Sequence, residues 1–371
     1  MNRLLTMRSN LRMHSSTHGR RLIEAMTNFH RRIFQTGIVL LVFLLLLFFS
    51  FEQQKKQSSG TDETAKAPIS DTAFKLNTVV TVTLYDSTDE NLLAEAIDLC
   101  DKYENLFSRT RPTSELYQLN HGLLPQEDGF FCISPEMTEL LTAALSYCEK
   151  SGGAFDITIG PVSALWDFTS EEKVVPSDAE ISAALPLVDY RKVIVKENRV
   201  RFLQEGMQLD LGAIAKGYIA DKIKEFLLEH GVKSAVINLG GNVLCVGEKP
   251  DGDAFGIGIQ KPFAKRSETV STIQVRDKSI VSSGIYERSF EKDGKFYHHL
   301  LNPKTGYPYE NSRGSVTILA VKSVGGDGLS TACFSLGLEE GMNFIEDLPD
   351  TEAVFITEDY KLHYSSGFPR S

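Results

Sequence analysis

The chain has 371 residues, of which 42% are hydrophobic and 24% are charged, proportions that are typical of a globular protein. Its net charge is −10, but residues 1–32 hold seven arginines and one glutamate, so the remainder of the chain carries −16. Such an acidic body argues against nucleic acid as a partner, because phosphate backbones are bound by basic surfaces. The five cysteines form no CxxC or CxxH pair, which argues against a zinc site and against a dense disulfide framework.

A long apolar segment follows the basic residues. Residues 33–51 contain few polar side chains and approach the roughly 20 residues that span a bilayer. Arg31 and Arg32 directly precede this segment, and by the positive-inside rule they predict a cytoplasmic N-terminus. The segment is either an uncleaved signal anchor, which the lack of a small-x-small cleavage site favours, or a secretory signal peptide. We therefore expect a single-pass protein of the cell membrane whose body is extracytoplasmic.

The same pattern divides the chain into four parts. Residues 1–32 are expected to form a basic cytoplasmic tail, and residues 33–51 the transmembrane signal anchor or signal peptide. Residues 52–72 are polar and poor in large apolar side chains, which is typical of a flexible linker. A globular domain is expected over residues 73–371.

Hydrophobic periodicity predicts both strands and helices in this domain. Alternating apolar residues predict a strand at 78–85, and apolar residues at helical spacing predict helices at 92–107, 135–150 and 216–230. A hairpin is expected at 192–202, a short helix after Asp327 and a closing hairpin around Glu358. Further strands are predicted at 235–238, 243–246, 280–283, 316–321 and 353–356. Because strands outnumber helices and often follow one another, we expect an α+β fold with a largely antiparallel sheet and packed helices.

The segment LDLGAIAKGYIADKI, residues 209–223, is the first of three that carry candidate chemistry. Asp210 is expected to end a strand, Gly212 and Ala213 to form a turn, and Lys216 to begin a helix. Glycine lets a ligand approach the backbone closely, and the N–H groups that open a helix favour anions. The alternative is an ordinary turn in which Asp210 acts only as a cap.

The second segment, YHHLLNPKTGYP at residues 297–308, places two histidines before two leucines. Adjacent strand residues point to opposite faces, so only one of His298 and His299 can address a given site. An imidazole suits proton transfer near neutral pH. The alternative is that both are ordinary core or surface histidines.

The third segment, GGDGLSTACFSLG at residues 325–337, places Asp327 and Thr331 four residues apart. A helix would bring their oxygens to one face, one turn from each other. A carboxylate and a hydroxyl are hard ligands that suit Mg²⁺, whose remaining positions are usually taken by water and substrate phosphates. The alternative is that Asp327 caps the N-terminus of its own helix.

Taken together, these segments resemble the FAD:protein FMN transferase (ApbE) family. The resemblance extends over residues 74–368 and implies an ApbE-like fold. It also implies Mg²⁺-dependent transfer of FMN from FAD to a Thr or Ser hydroxyl of an acceptor protein, with release of AMP. The motifs that carry it are FSRTRPTSELYQLN (107–120), GAFDITIGPVSALWDF (153–168), LDLGAIAKGYIAD (209–221), NLGGNV (238–243), HLLNPKTGYP (299–308) and GDGLSTACFSLG (326–337).

The resemblance further implies site residues and a partner. The implied Mg²⁺ ligands are the backbone carbonyl of Ala213 and the side chains of Asp327 and Thr331. His299, and not His298, matches the base that acts on the acceptor hydroxyl. The implied acceptor is an extracytoplasmic protein with an Asp-x-x-Ser/Thr-Gly-Ala-Thr-like motif, which this chain itself lacks. The implied contacts with FAD are Leu76, Ala154, Phe155, Asp156, Asp210, Lys216 and Leu301.

The chain departs from the family pattern at three places, one of which is that Gly326 and Gly328 flank Asp327 where alanine is usual. Residues 76–78 read Leu-Asn-Thr where the family often has Met-Gly-Thr, whose methionine touches the flavin. Asn302 replaces a frequent aspartate, which removes none of the implied ligands. Two other functions stay open: a metal-dependent FAD pyrophosphatase, in which water replaces the acceptor hydroxyl, and a non-catalytic surface protein that binds flavin.

Overall fold

The computed structural model describes residues 67–168, 170–265, 267–310 and 314–370. The expected basic tail 1–32 and apolar segment 33–51 lie outside these residues. No helix within the described ranges has both the length and the apolar character needed to cross a membrane. The strand β1 (Ile69–Lys75) begins inside the expected linker 52–72, so that linker was drawn too far toward the C-terminus. Pairing with β2 (Thr78–Leu84), rather than large apolar side chains, orders these residues.

The main sheet has eight strands. After β1 and β2 it contains β7 (Ser234–Leu239), β8 (Asn242–Gly247), β11 (Ser279–Gly284), β14 (Ser315–Ala320), β15 (Glu352–Ile356) and β16 (Leu362–Tyr364). The strand order is β1-β2-β7-β8-β11-β14-β15-β16, and each neighbouring pair is antiparallel. The predicted strands therefore exist, and the largely antiparallel sheet is confirmed.

The smaller sheets are also antiparallel. A four-stranded sheet, ordered β3-β4-β6-β5, contains β3 (Gln126–Glu127), β4 (Phe130–Cys132), β5 (Val193–Lys196) and β6 (Arg199–Phe202). Two hairpins complete the set: β9 (Phe255–Gln260) with β10 (Thr269–Val275), and β12 (Ser289–Lys292) with β13 (Lys295–His298). The hairpin predicted at 192–202 is confirmed, and its turn residues Glu197 and Asn198 have φ of 49° and 56°.

The helices are amphipathic segments that pack against these sheets. They are α1 (Glu90–Phe107), α2 (Glu115–Asn120), α3 (Pro135–Lys150), α4 (Gly160–Ser163), α5 (Asp178–Ala184), α6 (Ala215–Glu229) and α7 (Ser323–Glu346). Side chains of β2, β7, α1, α3 and α6 share the largest core cluster, in which Val82, Leu140 and Ile223 are fully buried. A second cluster joins α7 to β14 and β15. The α+β prediction is thus confirmed.

The prediction of a short helix after Asp327 is wrong. The helix α7 begins at Ser323, so Asp327 lies one turn inside it, and a kink at Gly337 (φ 81°, ψ −176°) divides its long span. The glycines beside Asp327 look like turn residues in the sequence, but they serve close packing. A Cβ on Gly326 would lie 2.7 Å from Val281, and one on Gly328 would lie 2.9 Å from Tyr147.

The expectation that Asp210 ends a regular strand is also wrong. Its neighbourhood is extended, but only Gln208 pairs, as an isolated parallel bridge with Ile159. The N–H of Asp210 donates to the carbonyl of Ile157 over 2.8 Å. A Cβ on Gly160 would lie 2.6 Å from the Gln208 oxygen, so glycine lets these two sequence motifs approach each other.

Candidate active site

The first turn of α6 and the second turn of α7 meet at Asp327. The N–H of Gly217 donates to Asp327 Oδ2 over 2.7 Å, and Lys216 Nζ lies 3.6 Å from Oδ1. The Asp327 side chain is only 5% exposed, so these partners surround a buried carboxylate. Gly217 permits this approach, because a Cβ there would lie 2.2 Å from the carbonyl oxygen of Ser323. Asp327 therefore caps the neighbouring helix α6 and not its own helix.

The other two implied metal ligands are Thr331, which lies on α7, and Ala213, which lies just before α6. Thr331 is one turn after Asp327 on α7, as the spacing predicted, and its Oγ1 lies 3.5 Å from Ser283 Oγ on β11. Ala213 lies in the turn that leads into α6. The hydrogen bond between Gly217 and Asp327 joins these two elements directly.

The donor set at this place fits Mg²⁺ chemically. A buried carboxylate, a hydroxyl and a backbone carbonyl are all oxygen ligands of the kind that Mg²⁺ prefers. Over the described ranges, no three His, Cys, Asp or Glu side chains group closely enough to hold a metal by themselves. A site with a single carboxylate is consistent with an ion that water and substrate phosphates complete.

The turn before α6 is held from a distant part of the chain. The Asn120 side chain donates to the Leu209 carbonyl over 2.9 Å, and its oxygen accepts from the Leu209 N–H over 2.8 Å. Asn120 thereby substitutes for a missing strand partner at this position. Because it ends α2, the sequence motif 107–120 fixes the backbone of the motif 209–221.

Asp210 organises the same turn through both of its oxygens. Oδ1 accepts from the N–H of Gly212 over 2.9 Å, which closes the turn. Oδ2 accepts from the Ser163 hydroxyl over 2.8 Å and lies 3.4 Å from Arg109 Nε. The capping role considered from the sequence is therefore present, and Arg109 adds a cation beside it. The FAD contact implied at Asp210 stays a prediction.

The loop 154–156 is built around a buried carboxylate. Asp156 Oδ1 accepts from the N–H and the hydroxyl of Thr158 over 2.8 and 2.6 Å, and Oδ2 accepts from the N–H of Tyr190 over 3.1 Å. Burial raises the pKa of Asp156 above its ordinary value. These groups occupy the Asp156 carboxylate, and Phe155 is buried. The contacts implied at Ala154, Phe155 and Asp156 stay predictions.

The two adjacent histidines have different surroundings, as their alternating directions predicted. His298 is buried at the end of β13, and its Nε2 lies 2.9 Å from the Tyr309 carbonyl oxygen. His299 is half-buried, with Nδ1 3.3 Å from the Arg288 carbonyl oxygen. The pKa of both imidazoles is lowered to about 4, mainly by burial, and for His299 the charges of His298, Arg288 and Lys216 contribute in the same direction.

Other contacts join the histidine segment to the loop that begins at Ala154. The Tyr309 hydroxyl donates to the Ala154 carbonyl over 3.0 Å. Trp166 Nε1 donates to the Gly306 carbonyl over 3.0 Å. Leu301 pairs with Pro308 across the intervening turn. The structure therefore brings the segments of Leu301 and Ala154 together.

Leu76 is partly buried and packs against the largest core cluster. It occupies the two-residue turn between β1 and β2 with φ of 54°, beside Asn77 with φ of 55°. This turn contacts the turn between β7 and β8, because a Cβ on Gly240 would meet the Thr78 side chain at 2.1 Å. The flavin contact implied at Leu76 stays a prediction.

The sequence interpretation assigned no role to three residues that organise this region. Asn120 and Arg109 hold the turn at 209–213, as described above. Asp221 accepts hydrogen bonds from the first two N–H groups of α7. The only signal in the sequence was that all three lie inside the motifs that carry the family resemblance.

These contacts define an α+β protein in which a buried carboxylate, a hydroxyl and a lysine gather where two helices meet, a composition suited to chemistry on phosphates. The model of the ApbE family matches residues 76–355, so the chain belongs to this family.

Characterised relatives agree over most of the chain. An FAD:protein FMN transferase of Klebsiella pneumoniae (strain 342) is 38% identical over 284 residues, which cover 76% of this chain and 86% of the relative. One from Treponema pallidum (strain Nichols) is 37% identical over 293 residues, covering 74% and 79%. The ApbE protein of Thermotoga maritima superposes with a TM-score of 0.74 at 29% identity, over 82% of this chain and all of that one. The flavin transferase ApbE of Vibrio cholerae gives 0.72 at 26%, over 81% and 98%.

Proposed function

We propose that this chain catalyses the Mg²⁺-dependent transfer of FMN from FAD to a Thr or Ser hydroxyl of an acceptor protein, with release of AMP. Its relatives establish the broader class: three that are 30 to 38% identical over most of the chain are named FAD:protein FMN transferase. The chain is accordingly an enzyme of this class. The metal, the acceptor hydroxyl and the residue roles are the parts that we propose.

The observation that carries the proposal is the meeting of α6 and α7. It places the buried Asp327 carboxylate beside Lys216 and one turn from Thr331. Mg²⁺ held by Asp327, Thr331 and the Ala213 carbonyl would neutralise negative charge on the FAD diphosphate. Lys216 adds a second positive charge where phosphates would lie. Positioning and charge neutralisation supply most of the acceleration in phosphoryl transfer.

His299 is proposed as the general base. Its lowered pKa leaves the imidazole neutral at physiological pH, and a neutral imidazole can accept a proton. In the proposed step the acceptor hydroxyl gives its proton to His299 while its oxygen forms a bond to the FMN phosphorus. The bond from that phosphorus to the bridging oxygen breaks, and AMP departs with the electron pair. The product is a protein that carries FMN through a phosphoester.

The test uses the full-length chain in detergent with FAD, Mg²⁺ and an acceptor that carries the Asp-x-x-Ser/Thr-Gly-Ala-Thr-like motif. Flavin fluorescence should follow the acceptor on a denaturing gel, with one AMP released for each acceptor labelled. The change His299→Ala should slow labelling by about 10²- to 10⁴-fold, the usual contribution of a general base. The matched control is His230→Ala, which removes an exposed histidine at the end of α6 and should leave the rate unchanged.

Two other outcomes would select the alternative functions. Free FMN and AMP with an unlabelled acceptor would indicate an FAD pyrophosphatase. Binding of FAD without either product, in the wild type as in His299→Ala, would indicate a flavin-binding protein.

We further propose that the enzyme is anchored in the cell membrane by residues 33–51 and acts on an extracytoplasmic acceptor. The proposal rests on the apolar character of this segment and on the arginines that precede it. Protease added to intact cells with a permeable outer surface should digest the body from 73 to 371. Complete protection of the body until the cells are lysed would contradict this location.

A further inference from the structure

The helices α6 and α7 cap each other through two carboxylates. Asp327 on α7 accepts from the N–H of Gly217 in the first turn of α6. In return, Asp221 on α6 accepts from the N–H groups of Ser323 and Val324, which open α7, over 2.8 and 2.9 Å. Asp327 lies one turn into α7, whereas Asp221 lies nearly two turns into α6, and the contacts run in opposite directions along the two helices, which are therefore antiparallel here. Both contacts satisfy N–H groups that a helix leaves unpaired at its start.

No side chain of α7 itself performs the capping. Its N-cap residue is Lys322, which makes no side-chain hydrogen bond to the first turn. The position of the α7 start is therefore set from outside the helix, by Asp221 on one side. On the sheet side, the Ser323 hydroxyl donates to Asn242 Oδ1 over 2.7 Å and accepts from Ser279 over 2.8 Å.

The Asp221 carboxylate is part-buried and accepts hydrogen bonds from two backbone N–H groups. Burial raises its pKa to about 6, against the opposing effects of the two backbone hydrogen bonds and of Lys322 and Lys224. Burial raises the pKa of Tyr147 on α3, and the negative charge of Asp221 acts in the same direction. At neutral pH a charged carboxylate thus lies at the positive end of α7, where a negative charge is stabilised.

We propose that Asp221 is a positioning residue for the metal. Its two hydrogen bonds to the start of α7 fix where the Asp327 carboxylate and the Thr331 hydroxyl lie. This inference rests on the proposed Mg²⁺ site. A one-turn spacing separates the clamped N–H groups from Asp327, so a small rotation or slide of the helix start moves that carboxylate away from the turn that contains Ala213. Asp221 itself binds neither the metal nor FAD.

The experiment measures metal binding without relying on catalysis. Mn²⁺, which replaces Mg²⁺ at oxygen sites and has an electron paramagnetic resonance signal when free, is titrated into the full-length chain with FAD and no acceptor. Chromatography confirms that FAD stays intact in each sample. The change Asp221→Asn keeps the shape but replaces one accepting oxygen by an N–H₂ group that faces an N–H donor. We expect its Mn²⁺ affinity to fall by about 10-fold, as for other residues that orient metal ligands.

The matched control is Asp89→Asn. Asp89 is another aspartate that accepts from two N–H groups at a helix start, here Asn91 and Leu92 of α1. Both N–H groups are bound by Asp89 Oδ1, an oxygen that asparagine keeps, so this variant removes only a negative charge at a helix start and should retain wild-type Mn²⁺ affinity. Thermal melting of all variants accompanies the titrations. If Asp221→Asn does not melt cooperatively, Asp221→Glu takes its place, since it keeps the charge but displaces it along a longer side chain.

The outcomes separate this inference from the proposed function. If the wild type binds Mn²⁺, Asp327→Asn does not, and the Asp221 variant binds as the wild type does with only a lower melting temperature, then Asp221 is a structural cap and the inference is overturned alone. If the wild type binds no Mn²⁺ in the presence of FAD, the metal site and the role of Asp221 are both wrong. Weakened binding in the Asp221 variant with normal binding in Asp89→Asn supports the inference.

Discussion

His299 combines two properties that a general base needs. It is half-buried, so that a substrate can reach it, and its Nε2 has no hydrogen-bond partner among the described residues. Its Nδ1 faces the Arg288 carbonyl, which orients the ring. His298, by contrast, has Nε2 near the Tyr309 carbonyl and Nδ1 accepting from the Leu300 N–H, so both of its nitrogens serve the fold.

The pH dependence of the rate tests this assignment. Burial lowers the pKa of His299 from its ordinary 6.5 to about 4, so protonation should begin only well below neutrality. We expect the acidic limb of kcat/KM to lie nearer pH 4 than pH 6.5, measured by acceptor labelling from pH 4 to 8. The same shift makes His299 stabilise the fold above pH 6.5, and this contribution is lost as the pH falls toward 4. A limb centred at pH 6.5 would show that the reacting histidine is solvated or is not His299.

Asp327→Asn should separate metal binding from folding. The amide oxygen can still accept the hydrogen bond from the Gly217 N–H, whereas the negative charge that attracts a cation is lost. We expect the Mg²⁺ concentration for half-maximal rate to rise at least about 10-fold, with only a small change in melting temperature. Normal Mg²⁺ dependence together with a collapsed fold would show that Asp327 is only a cap for α6.

At the residue scale, the sequence predicted which residues share an element better than it predicted their contacts. The four-residue spacing of Asp327 and Thr331 correctly placed both on one helix, because helical geometry is local. It could not show that the Asp327 carboxylate would turn toward Gly217, since that contact joins residues far apart in the chain. For the same reason Asn120, whose partner Leu209 is 89 positions away, had no assigned role.

The pair of helices α6 and α7 is the element that builds the site. Their contact depends on Gly217, where the backbone of α7 comes closer than any side chain would allow. Glycine weakens a helix by about 1 kcal/mol relative to alanine, so its presence inside α6 has a cost that the close packing offsets. Gly217 therefore lowers the intrinsic stability of α6, but it allows Lys216 and Asp327 to lie close together.

Gly217→Ala should be destabilising although alanine is the better helix former. The added Cβ would lie 2.2 Å from the Ser323 carbonyl oxygen, which is backbone and cannot rotate away. We expect a loss of about 1–3 kcal/mol in the free energy of unfolding, as for other overpacked sites, together with weaker metal binding. Urea unfolding measures the former. The control is Gly256→Ala in β9, where the nearest atoms are side-chain atoms at 3.6 Å; equal stability of the two variants would contradict the packing argument.

Element boundaries were predictable where the signal is local. The helix α3 begins at Pro135 and ends at Lys150, as its proline start and glycine stop indicated. The start of α7 was missed because its cap is Asp221 on another helix and because its glycines imitate a turn. Such a start carries no local cap for a sequence pattern to detect.

Across the whole molecule, the site joins segments that the sequence separates widely. In the proposed site the turn at 209–213 provides a backbone carbonyl, α7 provides a carboxylate and a hydroxyl, and the histidine segment provides an imidazole. The apolar cores, however, are formed by protein side chains alone. The protein should therefore fold without the metal, whereas the metal should bind only to the folded protein.

Metal removal tests this division. Chelation by EDTA should leave the melting temperature of the ligand-free protein nearly unchanged, because one carboxylate with neutral oxygens binds Mg²⁺ weakly by itself. Mg²⁺ and FAD together should raise the melting temperature by more than the sum of their separate effects. The corresponding gain in the free energy of unfolding is about 2.7 kcal/mol at a hundred-fold excess over Kd. Differential scanning calorimetry in the absence of acceptor measures all four conditions. Unfolding on chelation, or strictly additive effects, would contradict a shared metal and phosphate site.

The reciprocal capping of α6 and α7 also has a consequence for the newly made polypeptide. The strands β7, β8 and β11 lie between the two helices in the chain, so the contact of Asp327 with Gly217 joins residues that are 110 positions apart. Hairpins form in microseconds, but closing such distant contacts comes later. A nascent chain that lacks α7 therefore lacks Asp327 and Thr331, and with them the side chains of the proposed metal site.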